Sequence, residues 1–394
     1  MNEKEIVDIE EKIMANTFSK RDRVITRGKG TIVWDINGNE YIDCTGSYGV
    51  CIVGHCHPRV VEAVQRQVET LIACHASFYN DARSEMLEKL IGIAPKGLGK
   101  VFLSNSGAES VECAIKLARR YSGKHEIVAM MGAFHGKTMG ALSATWKQKY
   151  RGPFMPLVPG FKHVPPNNLE KVREAITDKT AAVLVEPVRG EGGVLLPSDD
   201  FLPGLREICD EKDVLLMFDE VQTGFGRTGK VFACEHWNVV PDVLCLAKSV
   251  AGGLPMGATF AREEVMAAFQ RGEHSSTFSG NPLICAAASA AIDVLVEEKL
   301  PERAASLGNY FKGKLEGLAE KYRIVREVRG LGLMLGMELR FDVYNILLEC
   351  MERGVLVLDA GRNVVRFLPP LVIEKEQIDK VVEVLDVVME KENR

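Results

Sequence analysis

The stretch from Val214 to Gly253, VLLMFDEVQTGFGRTGKVFACEHWNVVPDVLCLAKSVAGG, constrains the fold of this chain more than any other. It opens with an apolar run, Val214 to Phe218, that ends in Asp219-Glu220. It closes with a second run, Val243 to Ala247, that ends in Lys248. Apolar runs of this length, bounded by polar and glycine-rich residues, read as buried strands of a parallel-type sheet. In open α/β sheets the ligand crevice lies outside the carboxyl ends of the strands, which is where Asp219 and Lys248 stand.

An acid and an amine facing one ligand suit pyridoxal phosphate. A lysine amine condenses with the cofactor aldehyde, and an aspartate opposite the pyridine nitrogen keeps that nitrogen protonated. A strand-end carboxylate beside a solvated lysine has the same local sequence, so the rest of the chain has to decide. Two other motifs in the stretch lack their context. Gly224, Gly226 and Gly229 spell G-x-G-x-x-G, but Lys230-Val231-Phe232 follows without a helix start. Gly224, Gly229 and Lys230 nearly spell a P-loop, yet Val231 occupies the position of the Mg²⁺-binding hydroxyl. The segment reads as a glycine-rich loop.

Composition narrows the class. The 394 residues are 46% hydrophobic and 26% charged, as in a soluble globular chain with room for one large and one smaller domain. A net charge of -5 gives no electrostatic footprint for nucleic acid or an anionic membrane. No apolar run reaches the roughly 20 residues of a membrane helix, and MNEKEIVDIEEK lacks the apolar core of a signal peptide, so a cytoplasmic location is expected. The ten cysteines are scattered and mostly in apolar contexts, as buried free thiols are. Cys51, His55, Cys56 and His57 have no paired C-x-x-C knuckle, and no metal site is expected there.

In chain order, residues 1–20 form an amphipathic lead-in helix, with Ile6, Ile9 and Ile13 on one face. Thr31–Trp34 and Glu40–Asp43 are strand-like around Asn37-Gly38, a hairpin signal. Pro58 starts a helix that carries Val60, Val61, Val64, Val68 and Leu71 inward. Lys100–Asn105 reads as a strand, followed by a helix to about Arg120 that Ser106 and Glu109 open as a capping box. Such a helix start, with Gly107 allowing close approach, offers free amides to a phosphate. Further strands are expected at Ile127–Met131, ending near Phe134, and at Ala181–Val185, leading into Glu186-Pro187. An α/β fold with a mainly parallel sheet follows from the strand–helix alternation over residues 100–260. An Ala-rich helix spans about 283–298. A smaller α+β unit follows, with Val325–Glu338, a helix near 343–353, a strand near 364–368 and a closing amphipathic helix.

Taken together, FDEVQTGFGRTG, PDVLCLAKSVAGGLPMGA, WDINGNEYID, VGHCHP, NSGAESVECAIKLARR, AFHGKTMGALSATW, VEPVRGEGG, STFSGNPL, VREVRGLGLM and VVRFLPPLVI resemble the class III aminotransferases. These are pyridoxal-phosphate enzymes of fold type I, and the motifs run from about residue 28 to 372. The resemblance implies a large cofactor-binding domain over 51–304. It also implies a smaller α+β domain built from both chain ends, 1–50 with the hairpin and 305–394. Lys248 would bond to the cofactor and shuttle the proton, and Asp219 would pair with the ring nitrogen. Gln222 would bond the ring hydroxyl, Phe134 and Val221 would close the two ring faces, and Ser106, Gly107 and Ala108 would hold the phosphate. His135 also counts among the cofactor residues. Thr277 would reach the phosphate of the other subunit's cofactor, which implies a homodimer or a dimer of dimers.

Arg366 would bind a substrate carboxylate as a bidentate fork, and Glu191 would pair with it when no carboxylate is present. Tyr48, Lys137 and Ser276 complete the implied substrate-binding set. The implied reaction is ping-pong transfer of a terminal amino group to 2-oxoglutarate, the cofactor alternating between pyridoxal and pyridoxamine phosphate. An aminomutase or racemase on the same fold is the alternative. The segments IDCTGSYGVCIVGH, PFMPLVPGFKHVP and KVFACEHWNVVPDVLCLAK look like putrescine-type enzymes. The compact length and VVRFLPPLVIEKE look like acetylornithine or carrier-bound aminoadipate-semialdehyde enzymes. Lys137 stands where those enzymes usually carry Arg, offering a point charge in place of a fork. Tyr48 matches the aromatic of ornithine and putrescine types, and Arg189 replaces a usual Gln. Diamine, ornithine, acetylornithine and 4-aminobutyrate donors all stay open.

Overall fold

Leu215–Asp219 and Val243–Leu246 are neighbouring parallel strands, with Phe218 opposite Leu244 and Asp219 opposite Cys245. In this computed structural model, which describes residues 1–392, they lie inside a seven-stranded sheet. Its order is Lys100–Ser104, Gly257–Ala261, Val243–Leu246, Leu215–Asp219, Thr180–Val185, Glu126–Met130 and Phe161–Val164. Gly257–Ala261 runs antiparallel to both neighbours, and the other adjacent pairs are parallel.

Alternation along each strand divides the core between two faces. Leu216, Phe218, Leu244 and Leu246 join one buried cluster, whereas Leu215, Met217, Val243 and Cys245 join another. Both faces are covered, so the strands read as continuous apolar runs. Helix Gly107–Ser122 covers the second face with Val111, Ala114, Ile115, Leu117 and Ala118. Each large side chain buried this way contributes about 1.5–3 kcal/mol.

The two chain ends meet in smaller sheets. Ile25–Lys29, Ile32–Asp35 and Glu40–Asp43 form an antiparallel meander, and Val355–Leu356 adds to Glu40–Asp43 in parallel. Val325–Leu331, Met334–Leu339, Val364–Phe367 and Leu358–Asp359 make a second, antiparallel sheet, with Gly336 opposite Arg366. Helices Leu300–Lys321 and Lys375–Glu392 supply Phe311, Leu315, Ile378 and Leu385 to the main core. The first of these runs through residue 304, where the sequence places a domain boundary. Among the described residues, no helix is long and apolar enough to cross a membrane.

Several expectations need correction. The lead-in helix covers only Glu3–Ile13 and buries nothing, and Ile9 and Ile13 stand exposed. In helix Pro58–Thr70 only Val60 is buried, while Val61 and Val68, and Leu71 just beyond, face outward. Their apolar spacing serves a face that this chain alone does not cover. The Ser106 capping box is half-formed. Ser106 Oγ accepts from the Glu109 amide at 3.2 Å, but Glu109 turns its carboxylate to the Asn105 amide at 2.5 Å. Strand Ile25–Lys29 carries no clear alternation and goes unseen in the sequence.

Candidate active site

Asp219 ends its strand and Lys248 follows the next one, so the parallel register sets both at the same sheet edge. Lys248 holds a left-handed backbone, φ 50°, at the head of the short turn Lys248–Val250. A non-glycine residue there is strained, a condition that clusters at functional positions. Burial pushes the Lys248 amine down to about 8.

Asp219 is 5% exposed, and its Oδ2 lies 2.8 Å from His135 Nδ1. Burial alone would lower the His135 pKa, but the bond to Asp219 outweighs it and raises it. The ring's other nitrogen, Nε2, is buried and without a protein partner. A second strand-end acid, Glu186, follows Thr180–Val185. Its carboxylate accepts from the Phe134 amide at 3.0 Å and the Gly190 amide at 3.3 Å, and burial pushes it up to about 7. It therefore braces the loop carrying Phe134 and His135 against the loop carrying Glu191.

These groups line a cavity of ≈ 190 Å³ with Gly107, Ala108, Phe134, Val221 and Gln222. Three larger depressions, ≈ 320 Å³ beside Arg21, ≈ 410 Å³ beside Lys124 and ≈ 230 Å³ beside Lys89, share no lining residue with it. The cavity reaches the start of helix Gly107–Ser122, where the first amides have no carbonyl one turn back to bond. A Cβ on Gly107 would lie 2.7 Å from Val221 Cγ1, so glycine keeps the approach open. Amides for an anion, an acid held by a histidine, an amine of lowered pKa and an aromatic wall fit the phosphate, ring nitrogen and aldehyde of pyridoxal phosphate.

Arg366, on strand Val364–Phe367 of the C-terminal antiparallel sheet, lies behind the lining and contacts it through Glu191 and Gln222. It is fully buried, and its Nη1 donates to Glu191 Oε1 at 2.6 Å and Gln222 Oε1 at 3.3 Å. Burial would raise the Glu191 pKa, but the Arg366 charge outweighs it and holds the carboxylate low. Nε and Nη2 of Arg366 have no protein partner. These open nitrogens, on a guanidinium already bonded to Glu191 and Gln222 of the cavity lining, have the donor geometry that a carboxylate takes.

Not every expected residue lies here. Tyr48 is 53% exposed, with its ring centroid 5.8 Å from the Arg366 guanidinium. Lys137 is exposed and outside the cavity lining, its Nζ 5.4 Å from the Tyr150 ring centroid. Ser276 accepts from Asn105 Nδ2 at 2.9 Å, beside the helix start, and Thr277 is exposed and away from its own chain's cavity. His55 pairs with Asp43 at 2.7 Å and His57 with Glu298 at 3.4 Å. Arg189 Nη1 donates to the Met131 carbonyl at 3.2 Å. Sequence reasoning gave Glu186 no role, although the strand-end logic that found Asp219 applies to it. Lys147 and Tyr150, both near Glu191, carry no local signal.

Comparison with known proteins agrees with this geometry. The family model for class-III aminotransferases matches residues 13–389. An acetylornithine aminotransferase of Methanopyrus kandleri is 51% identical over 382 residues, covering 96% of this chain and 97% of the relative. Another, from Methanocaldococcus jannaschii, is 46% identical over 392 residues, with 98% of each chain covered. Among solved structures, the ornithine aminotransferase of Toxoplasma gondii superposes with a TM-score of 0.94 at 35% identity, covering 100% of this chain and 97% of that one. The acetylornithine aminotransferase of Elizabethkingia anophelis gives 0.88 at 36%, covering 99% and 100%.

Proposed function

The chain belongs to the class-III aminotransferases, and from that premise we propose that it moves the terminal amino group of an N-acylated ornithine, N-acetylornithine foremost, to 2-oxoglutarate. Pyridoxal phosphate is the family's cofactor, and when bound it supplies an aldehyde that takes up nitrogen and a protonated ring that draws electrons from the substrate carbon.

The protein's part is to hold and to move protons. The Gly107 and Ala108 amides, with Ser106, hold the phosphate at the positive end of their helix. The Asp219 carboxylate, oriented by His135 Nδ1, keeps a proton on the ring nitrogen. Phe134 and Val221, both lining the cavity, would hold the ring between them and exclude water, and Gln222 would bond its hydroxyl. Lys248 Nζ would be the base that takes the proton from the substrate carbon bearing the amine. An amine lowered to about 8 is suited to that exchange near neutrality.

One observation carries the two-substrate reading: the pairing of buried Arg366 with half-buried Glu191 at 2.6 Å. The methylene chain of a terminal amine leaves the pair closed. The α-carboxylate of glutamate or 2-oxoglutarate takes the Arg366 fork and displaces Glu191. Relatives named for acetylornithine favour an acylated amino acid over a free diamine as donor. Turnover of N-acetylornithine, ornithine, putrescine and 4-aminobutyrate with 2-oxoglutarate tests this: N-acetylornithine should give the highest kcat/KM, and a preference for putrescine would refute the donor assignment.

A second copy of the chain completes the proposal. Leu71, Ile72, Phe78, Tyr79 and Phe278 are exposed. Arg83 gathers their segments by donating to the Cys74, Phe78 and Gly280 carbonyls. An apolar patch of this kind fits a protein interface, across which Thr277 reaches the partner's phosphate site.

A further inference from the structure

Resting on the carboxylate-switch reading above, we propose that Lys147 is the second seat of Glu191, the cation that receives its carboxylate when a dicarboxylate substrate takes Arg366. Lys147 directly precedes the short helix Gln148–Arg151, half-buried, and its Nζ donates to the Glu191 carbonyl at 3.1 Å. The ammonium therefore already sits on the residue that has to move.

The need for a second seat is electrostatic. Once Arg366 is taken, the Glu191 carboxylate, its side chain 26% exposed, loses its partner, and a half-buried charge without a partner is unfavourable. The cations that most strongly hold the Glu191 carboxylate low are Arg366, Lys248 and Lys147, and of these Lys147 already bonds the Glu191 main chain. Lys248 is unsuited, because a carboxylate beside it would hold on to the proton that it has to exchange. Lys147 remains.

The backbone favours a change of side-chain rotamer over movement of the loop. Gly190 N donates to Glu186 at 3.3 Å, and Arg329 Nε donates to the Gly193 carbonyl at 2.9 Å. Arg189 and Leu195 close the loop with paired backbone bonds of 3.0 and 3.1 Å. Within that frame Glu191 turns about its own side-chain bonds between two cations, Arg366 and Lys147.

The test uses the holoenzyme and glutarate, a dicarboxylate without a reacting carbonyl. Calorimetry should show glutarate binding weakened about tenfold in Lys147→Met, the loss of one charge-assisted hydrogen bond, and restored in Lys147→Arg. The ratio of the 2-oxoglutarate KM to the amine-donor KM should rise by a similar factor, which a simple brace of the fold would not produce. Glutarate affinity within twofold of wild type in Lys147→Met, or equal losses for both substrates, would overturn the proposal. Arg366→Met separates the two levels. If it weakens glutarate while Lys147→Met does not, only the role of Lys147 fails, whereas no effect of Arg366→Met overturns the switch reading and the second seat together.

Discussion

Arg366 and Glu191 come from different parts of the chain, a strand of the C-terminal antiparallel sheet and a loop after Thr180–Val185 of the seven-stranded sheet, and meet at 2.6 Å where Glu191 lines the cavity with Lys248. On the proposed reading, the pair stands where one site has to take a substrate whose reacting carbon bears a carboxylate and one whose reacting carbon ends a methylene chain. Glu191→Gln removes the competing charge and leaves Arg366 open. The KM for 2-oxoglutarate should fall, and kcat/KM for the amine donor should fall about tenfold, since its methylene chain would face an unpaired cation. Steady-state kinetics of both substrates reads the two effects, and parallel changes would count against the switch.

On the proposed reading, Lys248 both anchors the cofactor and exchanges the proton. Lys248→Ala should lose the visible absorbance of the lysine-linked cofactor and at least the roughly 10²–10⁴-fold in rate that a positioned acid–base supplies. Persistence of that absorbance would assign the linkage to another residue.

His55 and Asp43 give a pH-dependent brace beneath Tyr48. The Asp43 carboxylate accepts from His55 and from Thr45 and Gly46, which lead into the left-handed Ser47 and Tyr48. The bond to Asp43 raises His55 to about 10 from 6.5. The stabilisation is full below pH 6.5 and is lost as pH rises through about 10. His55→Gln should cost on the order of 2 kcal/mol at pH 6, discounted for the ring's partial exposure, and progressively less toward pH 10. Guanidinium melts across that range measure the difference, and a cost independent of pH would contradict the ionic pairing.

Tyr79→Asp places a charge on the apolar patch, where Tyr79 is fully exposed in the single chain. Light scattering should show dissociation to the monomer, with weaker cofactor retention because Thr277 no longer reaches the partner's site. An unchanged mass would place the interface elsewhere.

Much of this site is legible from local sequence because parallel strands announce their ends. An apolar run closed by Asp219, another closed by Lys248, and a Ser106-Gly107 helix start each carry a local reason. Arg366 is different: its strand is ordinary, and only the motif around it singles it out. Glu186 follows the same strand-end rule and went without a role because the sequence does not show which amides it bonds. Lys147 directly precedes the short helix Gln148–Arg151 and Tyr150 lies within it, and their approach to Glu191 is a contact that periodicity cannot encode. Val61, Val68 and Leu71 mislead for a related reason. Their apolar spacing is real, but their own chain leaves that face uncovered.

The central claim is that Arg366 recognises the carboxylate of one substrate and is bypassed by the other. Single-turnover kinetics of Arg366→Met, following each half-reaction separately, tests it most directly. The dicarboxylate half-reaction should lose about 10²-fold in apparent affinity, as expected for a lost bidentate ion pair, while the terminal-amine half-reaction stays within a few-fold of wild type. Equal losses in both halves, or none in the dicarboxylate half, would contradict it.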